Sequence, residues 1–345
     1  MKLSVLDLIS VRTGQSTSDA LAATLALARR ADDLGVHRYW VAEHHNMPAV
    51  ASTNPPVIIA MIAGATRNLR VGSGGVMLPN HPPLVIAEQF ALLEAMAPGR
   101  IDLGIGRAPG SDPVVTAVLG ASGRAGQVDT FPRDVRLVAE AMSAAGAPVQ
   151  LADGREYTLR ATPAATGVPQ IWLLGSSDYS ARLAGTLGLP YVFASHFFAG
   201  AGTADALSIY RDTFEPSEAY PEPTVLVTVN AVTADSAEEA QQLALPALRQ
   251  MARIRTGGPM RPVETVEEAA AAPTTPAEAR MIEEMGRAWV IDEPSAAASR
   301  IRDLAGTFGA DEVMISQVAG GREADDPQRY PARERSLELL VKALA

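Results

Sequence analysis

Short apolar runs alternate with longer stretches whose apolar residues recur at helical spacing, almost from one end of the chain to the other. Such alternation marks repeated strand-and-helix units around a parallel sheet, because parallel strands are covered on both faces and read as continuous apolar runs. The predicted strands are Leu3 to Ile9, Arg38 to Ala42, Arg70 to Leu78, Arg100 to Gly106, Gln170 to Leu174, Leu189 to Ala194, Thr224 to Ala231 and Glu312 to Ser316. Helix boundaries are legible between them: Ser16, Thr17 and Ser18 offer caps for a helix over Asp19 to Leu34 that Gly35 closes, and Asn54-Pro55-Pro56 and His81-Pro82-Pro83 open the next two. Further helices are predicted over Arg133 to Ala145, Ser180 to Leu187, Ala204 to Phe214, Ser236 to Arg253 and Pro294 to Phe308. The stretch 255–287, with Gly257-Gly258-Pro259 and runs of Glu, Ala, Pro and Thr, breaks the pattern and reads as a mobile excursion. Eight strands, each followed by a helix, predict one α/β domain over residues 1–345, a (β/α)8 TIM barrel. No Gly-x-Gly-x-x-Gly follows the first strand, which weighs against a dinucleotide-binding open sheet.

Composition narrows the function classes. At 345 residues with 47% hydrophobic positions the chain buries a large core. Its net charge of -10 repels phosphate backbones and anionic membranes, so neither nucleic acid nor a membrane is an expected partner, and a small-molecule substrate is. Without cysteine there is no disulfide, no thiolate nucleophile and no Cys-ligated metal. Asp7 falls where a signal peptide would need an apolar core, and no apolar run of about 18 residues exists, so a cytoplasmic location is expected.

In a barrel of this kind chemistry gathers at the C-terminal ends of the strands. Here those ends are polar or small: Glu43-His44-His45, Ser73-Gly74-Gly75, Gly104-Ile105-Gly106-Arg107, Gly175-Ser176-Ser177 and Ser195-His196. Three titratable groups after Arg38-Tyr39-Trp40-Val41-Ala42 cannot all be buried unpaired, which predicts a pocket. Adjacent strand residues point to opposite faces, so His44 and His45 do not converge on one ion and no metal is expected; a hydrogen-bonded structural histidine remains the alternative to a catalytic one. Arg107, with Ser176, Ser177 and Ser180 at a predicted helix N-terminus, suits a phosphate. The competing readings are an ion pair of Arg107 with Asp102 or Asp112 and plain helix capping by the serines. Ser73-Gly74-Gly75 marks either a bulge in the barrel wall or the close approach of a flat ligand.

Taken in order and spacing, these residues resemble the bacterial luciferase-like monooxygenases. The resemblance rests on Glu43-His44-His45, Asn54-Pro55, the run Val71 to Pro79, His81-Pro82, Glu88-Gln89, Pro98-Gly99-Arg100 and Gly104-Ile105-Gly106-Arg107. It continues more loosely through Gly175-Ser176-Ser177 and Gly188-Leu189-Pro190 and so covers most of the chain. Within the family the chain is similar to single-chain actinobacterial members, polyketide-tailoring enzymes among them. The resemblance implies a barrel that takes reduced FMN (FMNH2) from a separate flavin reductase, adds O2 to form a peroxyflavin, and hydroxylates or epoxidises an organic substrate. It implies His44 as the catalytic histidine beside the flavin, Arg107, Ser177 and Ser180 as phosphate contacts, and Gly175 and Ser176 as neighbouring cofactor contacts. Ser73, Gly74 and Gly75 fall at an unusual cis peptide against the flavin ring, while Glu43, Ser195 and His196 fall on the substrate side. The excursion 255–287 becomes a lid that keeps water from the flavin, and a homodimer through the helices near the second and third strands is expected.

Two departures stand out. Gly106 occupies the place of a reactive cysteine in the light-emitting luciferase subunit, and Ser195 that of a tryptophan, so light emission is not implied. Two alternatives remain: a deazaflavin (F420)-dependent oxidoreductase that transfers hydride without O2, and a noncatalytic flavin-binding partner protein. The intact His44 and Arg107 argue against the second.

Overall fold

The computed structural model describes residues 1–108, 110–120, 130–195 and 202–345. Twelve strands are numbered in chain order: β1 (Lys2–Asp7), β2 (Arg38–Val41), β3 (Arg70–Ser73), β4 (Val76–Met77), β5 (Ile101–Gly106), β6 (Ala147–Gln150), β7 (Glu156–Leu159), β8 (Gln170–Gly175), β9 (Tyr191–Phe193), β10 (Val225–Thr233), β11 (Val290–Asp292) and β12 (Glu312–Gln317). Strands β1, β2, β3, β5, β8, β9, β10 and β12 pair in parallel in that order. β12 returns to β1 with Leu3 beside Val313 and Val5 beside Ile315, which closes the eight-stranded barrel the apolar pattern predicts.

Alternation along each strand sorts side chains between two cores. Leu6, Trp40, Trp172, Val192, Leu226 and Met314 point inward and fill the barrel. Their neighbours Val5, Tyr39, Val41, Leu173 and Val313 face outward and bury against the surrounding helices. The helix starts follow their caps: Ser16 closes a capping box with Asp19 on helix Thr17–Asp33, and Asn54 caps helix Pro55–Ala65.

The N-terminal end of the barrel is sealed by buried charge. Arg38 donates to both oxygens of Glu312 at 2.6 and 3.0 Å and to Asp102 at 2.7 Å, while Trp40 Nε1 and Arg70 Nε reach the same Asp102 carboxylate at 3.0 Å each. The Arg38 guanidinium also lies over the Trp172 ring at 4.9 Å. Burial alone would lower its pKa, and Asp102 and Glu312 more than offset that, so it stays charged.

The structure departs from the sequence reading in two places. β6 and β7 form an antiparallel hairpin outside the barrel. The stretch 255–287 is not irregular: it carries helices Val266–Ala271 and Pro276–Ala288, each opened by a capping box, Thr265 with Glu268 and Thr275 with Glu278. These helices pack with the preceding helix Ala237–Arg255 around Leu248, Val266, Met285 and Trp289. Glu264 fastens the connecting loop by accepting from Arg249 at 3.0 Å and Arg253 at 2.7 Å, and the loop is stitched to the chain after β1 by Val263 N donating to Val11 O at 2.8 Å. β11 then adds as a parallel neighbour to the C-terminal half of the long β10.

Candidate active site

Two adjoining cavities open at the C-terminal ends of the barrel strands. One, of about 480 Å³, is walled by Gly74, Gly75, Gly106, Arg107, Ser176 and Ser177. The other, of about 280 Å³, contains His44 and is mostly apolar. Met251, from helix Ala237–Arg255, lines both and so marks their junction.

The flat wall of the larger cavity is made by glycine. The Gly74–Gly75 peptide is cis, as the resemblance implies. A Cβ on Gly75 would stand 2.9 Å from the Gly104 carbonyl oxygen, and one on Gly104 would stand 2.1 Å from that of Ser73. Glycine at these positions therefore lets β5 close against the junction of β3 and β4. Ser73, expected to touch the cofactor, instead donates to Gly104 O at 2.8 Å and accepts from Gly104 N at 3.0 Å. Its hydroxyl is used up between strands and supports the wall from behind.

At the other end of this cavity, helix Asp178–Thr186 points its N-terminus inward, with Ser177 as N-cap. Ser180 lines the cavity too, but its hydroxyl donates to Ser177 O at 2.7 Å and bonds Tyr191 Oη at 2.9 Å. Gly175 is required here, since a Cβ would fall 2.1 Å from Ser180 Oγ. Arg107 lays its guanidinium over the Tyr179 ring at 4.1 Å and makes no ion pair among the described residues. Neither candidate carboxylate holds it: Asp102 is taken by Arg38 and Arg70, and Asp112 caps a helix through the amides of Val114 and Val115. An unpaired cation, two rim serines and a helix N-terminus fit a phosphate dianion.

The tripeptide Glu43-His44-His45 divides its labour. Glu43 is fully buried, and its Oε1 accepts from His45 Nε2 at 2.9 Å and His81 Nε2 at 2.8 Å, while Oε2 accepts from Met77 N at 3.0 Å. Burial would raise its pKa, but these donors hold it down at about 2, so it is a carboxylate that only accepts, and both imidazoles donate to it through Nε2–H. Glu43 lines neither cavity, which corrects its expected place on the substrate side; it holds β2, β4 and His81 together. His44 faces the smaller cavity with a buried Nδ1 that has no hydrogen-bond partner among the described residues. Burial keeps its imidazole below the ordinary range, against the pull of Glu43, so the ring is neutral at neutral pH.

Ser195 is buried and lines neither cavity, although Ala194 beside it lines the larger. His196 lies outside the described residues. Several residues of the site escaped the sequence reading: Met251, Asn230 within β10 and Gln317 at the end of β12 line the smaller cavity, and Tyr179 lies under Arg107. The strand-end rule that found His44, carried to the last strand, reaches Ser316-Gln317.

A family model described as luciferase-like monooxygenase matches residues 1–312. The chain belongs to this family. It is 38% identical over 346 residues to a luciferase-like monooxygenase of Escherichia coli, covering 99% of this chain and 97% of the relative. The crystal structure of apo-MsnO8 superposes with a TM-score of 0.84 at 31% identity, covering 99% of this chain and 98% of that one. More distant structures share the fold: the FMN-bound oxygenating constituent of 3,6-diketocamphane monooxygenase from Pseudomonas putida at TM-score 0.70 and 18% identity, and an F420-dependent secondary alcohol dehydrogenase at 0.65 and 16%, each covering 100% of this chain. Family and fold together support an oxidoreductase. No helix among the described residues is long and apolar enough to cross a membrane.

Proposed function

We propose that this chain is an FMNH2-dependent monooxygenase that oxygenates a largely apolar organic molecule, with a separate flavin reductase as the source of reduced cofactor. One observation carries the reading: the unpaired Arg107 and the flat Gly74–Gly75 wall share a cavity that adjoins, across Met251, the cavity holding the unpartnered His44. Arg107, Ser176, Ser177 and the amides of helix Asp178–Thr186 would hold the phosphate, and Gly74 and Gly75 would lie against the ring. Reduced FMN, when bound, supplies the two electrons that activate O2. His44 is a neutral imidazole in the wall of the smaller cavity, and its Nδ1 can accept a proton from, or return one to, a reacting oxygen. Glu43 positions the backbone that carries it. The insertion, through Met260 and Val263, together with Met251 of the preceding helix, roofs the smaller cavity and excludes water. The exposed Val57, Met61, Val85, Leu92 and Met96, on helices Pro55–Ala65 and Pro83–Met96, support pairing of two copies through this face.

The test separates binding from chemistry. His44→Ala leaves the FMN dissociation constant, read by fluorescence quenching, within about twofold of wild type, because His44 lies outside the phosphate cradle. Substrate-coupled oxygen incorporation falls about 100-fold or more, with the reducing equivalents appearing as hydrogen peroxide. Unchanged coupling in that variant sinks the role of His44, and binding of F420 without binding of FMN sinks the cofactor assignment.

A further inference from the structure

We propose that Gln317 is the specificity-determining residue of the smaller cavity and that it selects substrates carrying a neutral carboxamide, or a similar side-by-side acceptor and donor, on a compact apolar body. The proposal rests on reading that cavity as the substrate site. Gln317 closes β12 and lines the cavity at only 3% exposure. Neither its amide oxygen nor its amide nitrogen has a hydrogen-bond partner among the described residues. A buried amide left unsatisfied at both ends is costly, and a native cavity normally supplies what completes it. A side-chain amide presents an acceptor beside a donor in one plane, and its complement is a donor beside an acceptor in the same plane. A carboxamide or lactam meets both ends, a ketone or ether meets only the donor, and an ionised carboxylate leaves the Gln317 oxygen facing another oxygen. Most of the rest of the wall is apolar, with Leu8, Val50, Met251, Val263 and Trp289, and several of its polar groups are already engaged: Arg12 donates to Thr13 O and Asp325 O, Tyr330 Oη to Ser10 O and Arg333 to Ala319 O; a volume of about 280 Å³ sets a compact occupant.

Water can also satisfy an amide, and the test separates the two. The full-length protein, loaded with FMN, is titrated calorimetrically with hexanamide and with 2-heptanone, a carboxamide and a ketone of similar length. The ratio of the two affinities is then compared between wild type and Gln317→Met, which keeps the side-chain length and removes both polar atoms. The carboxamide-to-ketone ratio falls roughly tenfold or more in the variant, as expected for loss of a buried paired contact. A ratio unchanged within about twofold, or no measurable binding of hexanamide to wild type, overturns the proposal and leaves Gln317 to water. If Gln317→Met does not fold, as judged by its thermal transition, Gln317→Leu carries the same comparison. Absence of FMN quenching in wild type defeats the cofactor reading on its own, and the ratio, measured then without FMN, still decides the role of Gln317.

Discussion

The two ends of the barrel use the same side-chain types to opposite ends. At the N-terminal floor, Arg38 is enclosed by Glu312, Asp102 and two tryptophan rings, and every charge there has its counter-charge within the protein. At the C-terminal mouth, among the described residues, Arg107 rests on a tyrosine ring, His44 has an unpartnered Nδ1 and Gln317 an unpartnered amide. A satisfied buried charge holds the fold together, while an unsatisfied one at the rim of a cavity waits for a ligand. The difference is one of pairing, and composition alone does not reveal it.

Three substitutions sharpen this contrast, and removing the floor arginine has the largest effect. Arg38→Ala leaves the Glu312 and Asp102 carboxylates buried with reduced compensation and costs about 3–5 kcal/mol in urea unfolding. The fraction still folded keeps its FMN affinity. A floor variant that unfolds like wild type but loses FMN would reverse the assignment of the two ends. Glu43→Gln comes next, since Glu43 belongs to the mouth in sequence but to the floor in behaviour. Its folded pKa of about 2 lies below the ordinary 4.5, so the stability it contributes, about 3 kcal/mol, is fully present above pH 4.5 and is lost as pH falls toward 2. Wild type and Glu43→Gln therefore differ most at neutral pH and converge in acid; a gap that is constant with pH would show that the carboxylate's charge is not what stabilises.

Much of this was legible in the chain, and the gaps have physical reasons. The barrel strands are buried on both faces, so Val5-Leu6 or Leu103-Gly104-Ile105 announces itself by continuous apolarity. The hairpin of β6 and β7 does not, because Glu156, Tyr157 and Gln150 are exposed and Pro148 sits inside a strand. In the insertion, the Gly, Pro and Thr residues read as breakers although Thr265 with Glu268 and Thr275 with Glu278 are capping boxes visible in the sequence. The strand ends pointed to His44, Gly74, Gly75 and Arg107, but could not show that Ser73 and Glu43 turn away from the cavities. That depends on which partner each side chain meets, Gly104 for Ser73 and His81 with the Met77 amide for Glu43, and those partners lie more than thirty residues away in sequence.

The smallest expected effect is also the sharpest discriminator. Arg107→Ala removes a guanidinium that pairs with no carboxylate among the described residues, so unfolding free energy changes by no more than about 0.5 kcal/mol. If Arg107 waits for a phosphate, FMN affinity falls by the value of a charge-assisted contact, about 1.5–3 kcal/mol, or roughly 10- to 150-fold in fluorescence quenching. Riboflavin, which has the ring and lacks the phosphate, binds wild type and variant alike. Equal losses for FMN and riboflavin would mean that Arg107 shapes the cavity through its stacking on Tyr179 and does not read charge. In that case the contrast between the two ends would survive at His44 and Gln317 but fail at Arg107.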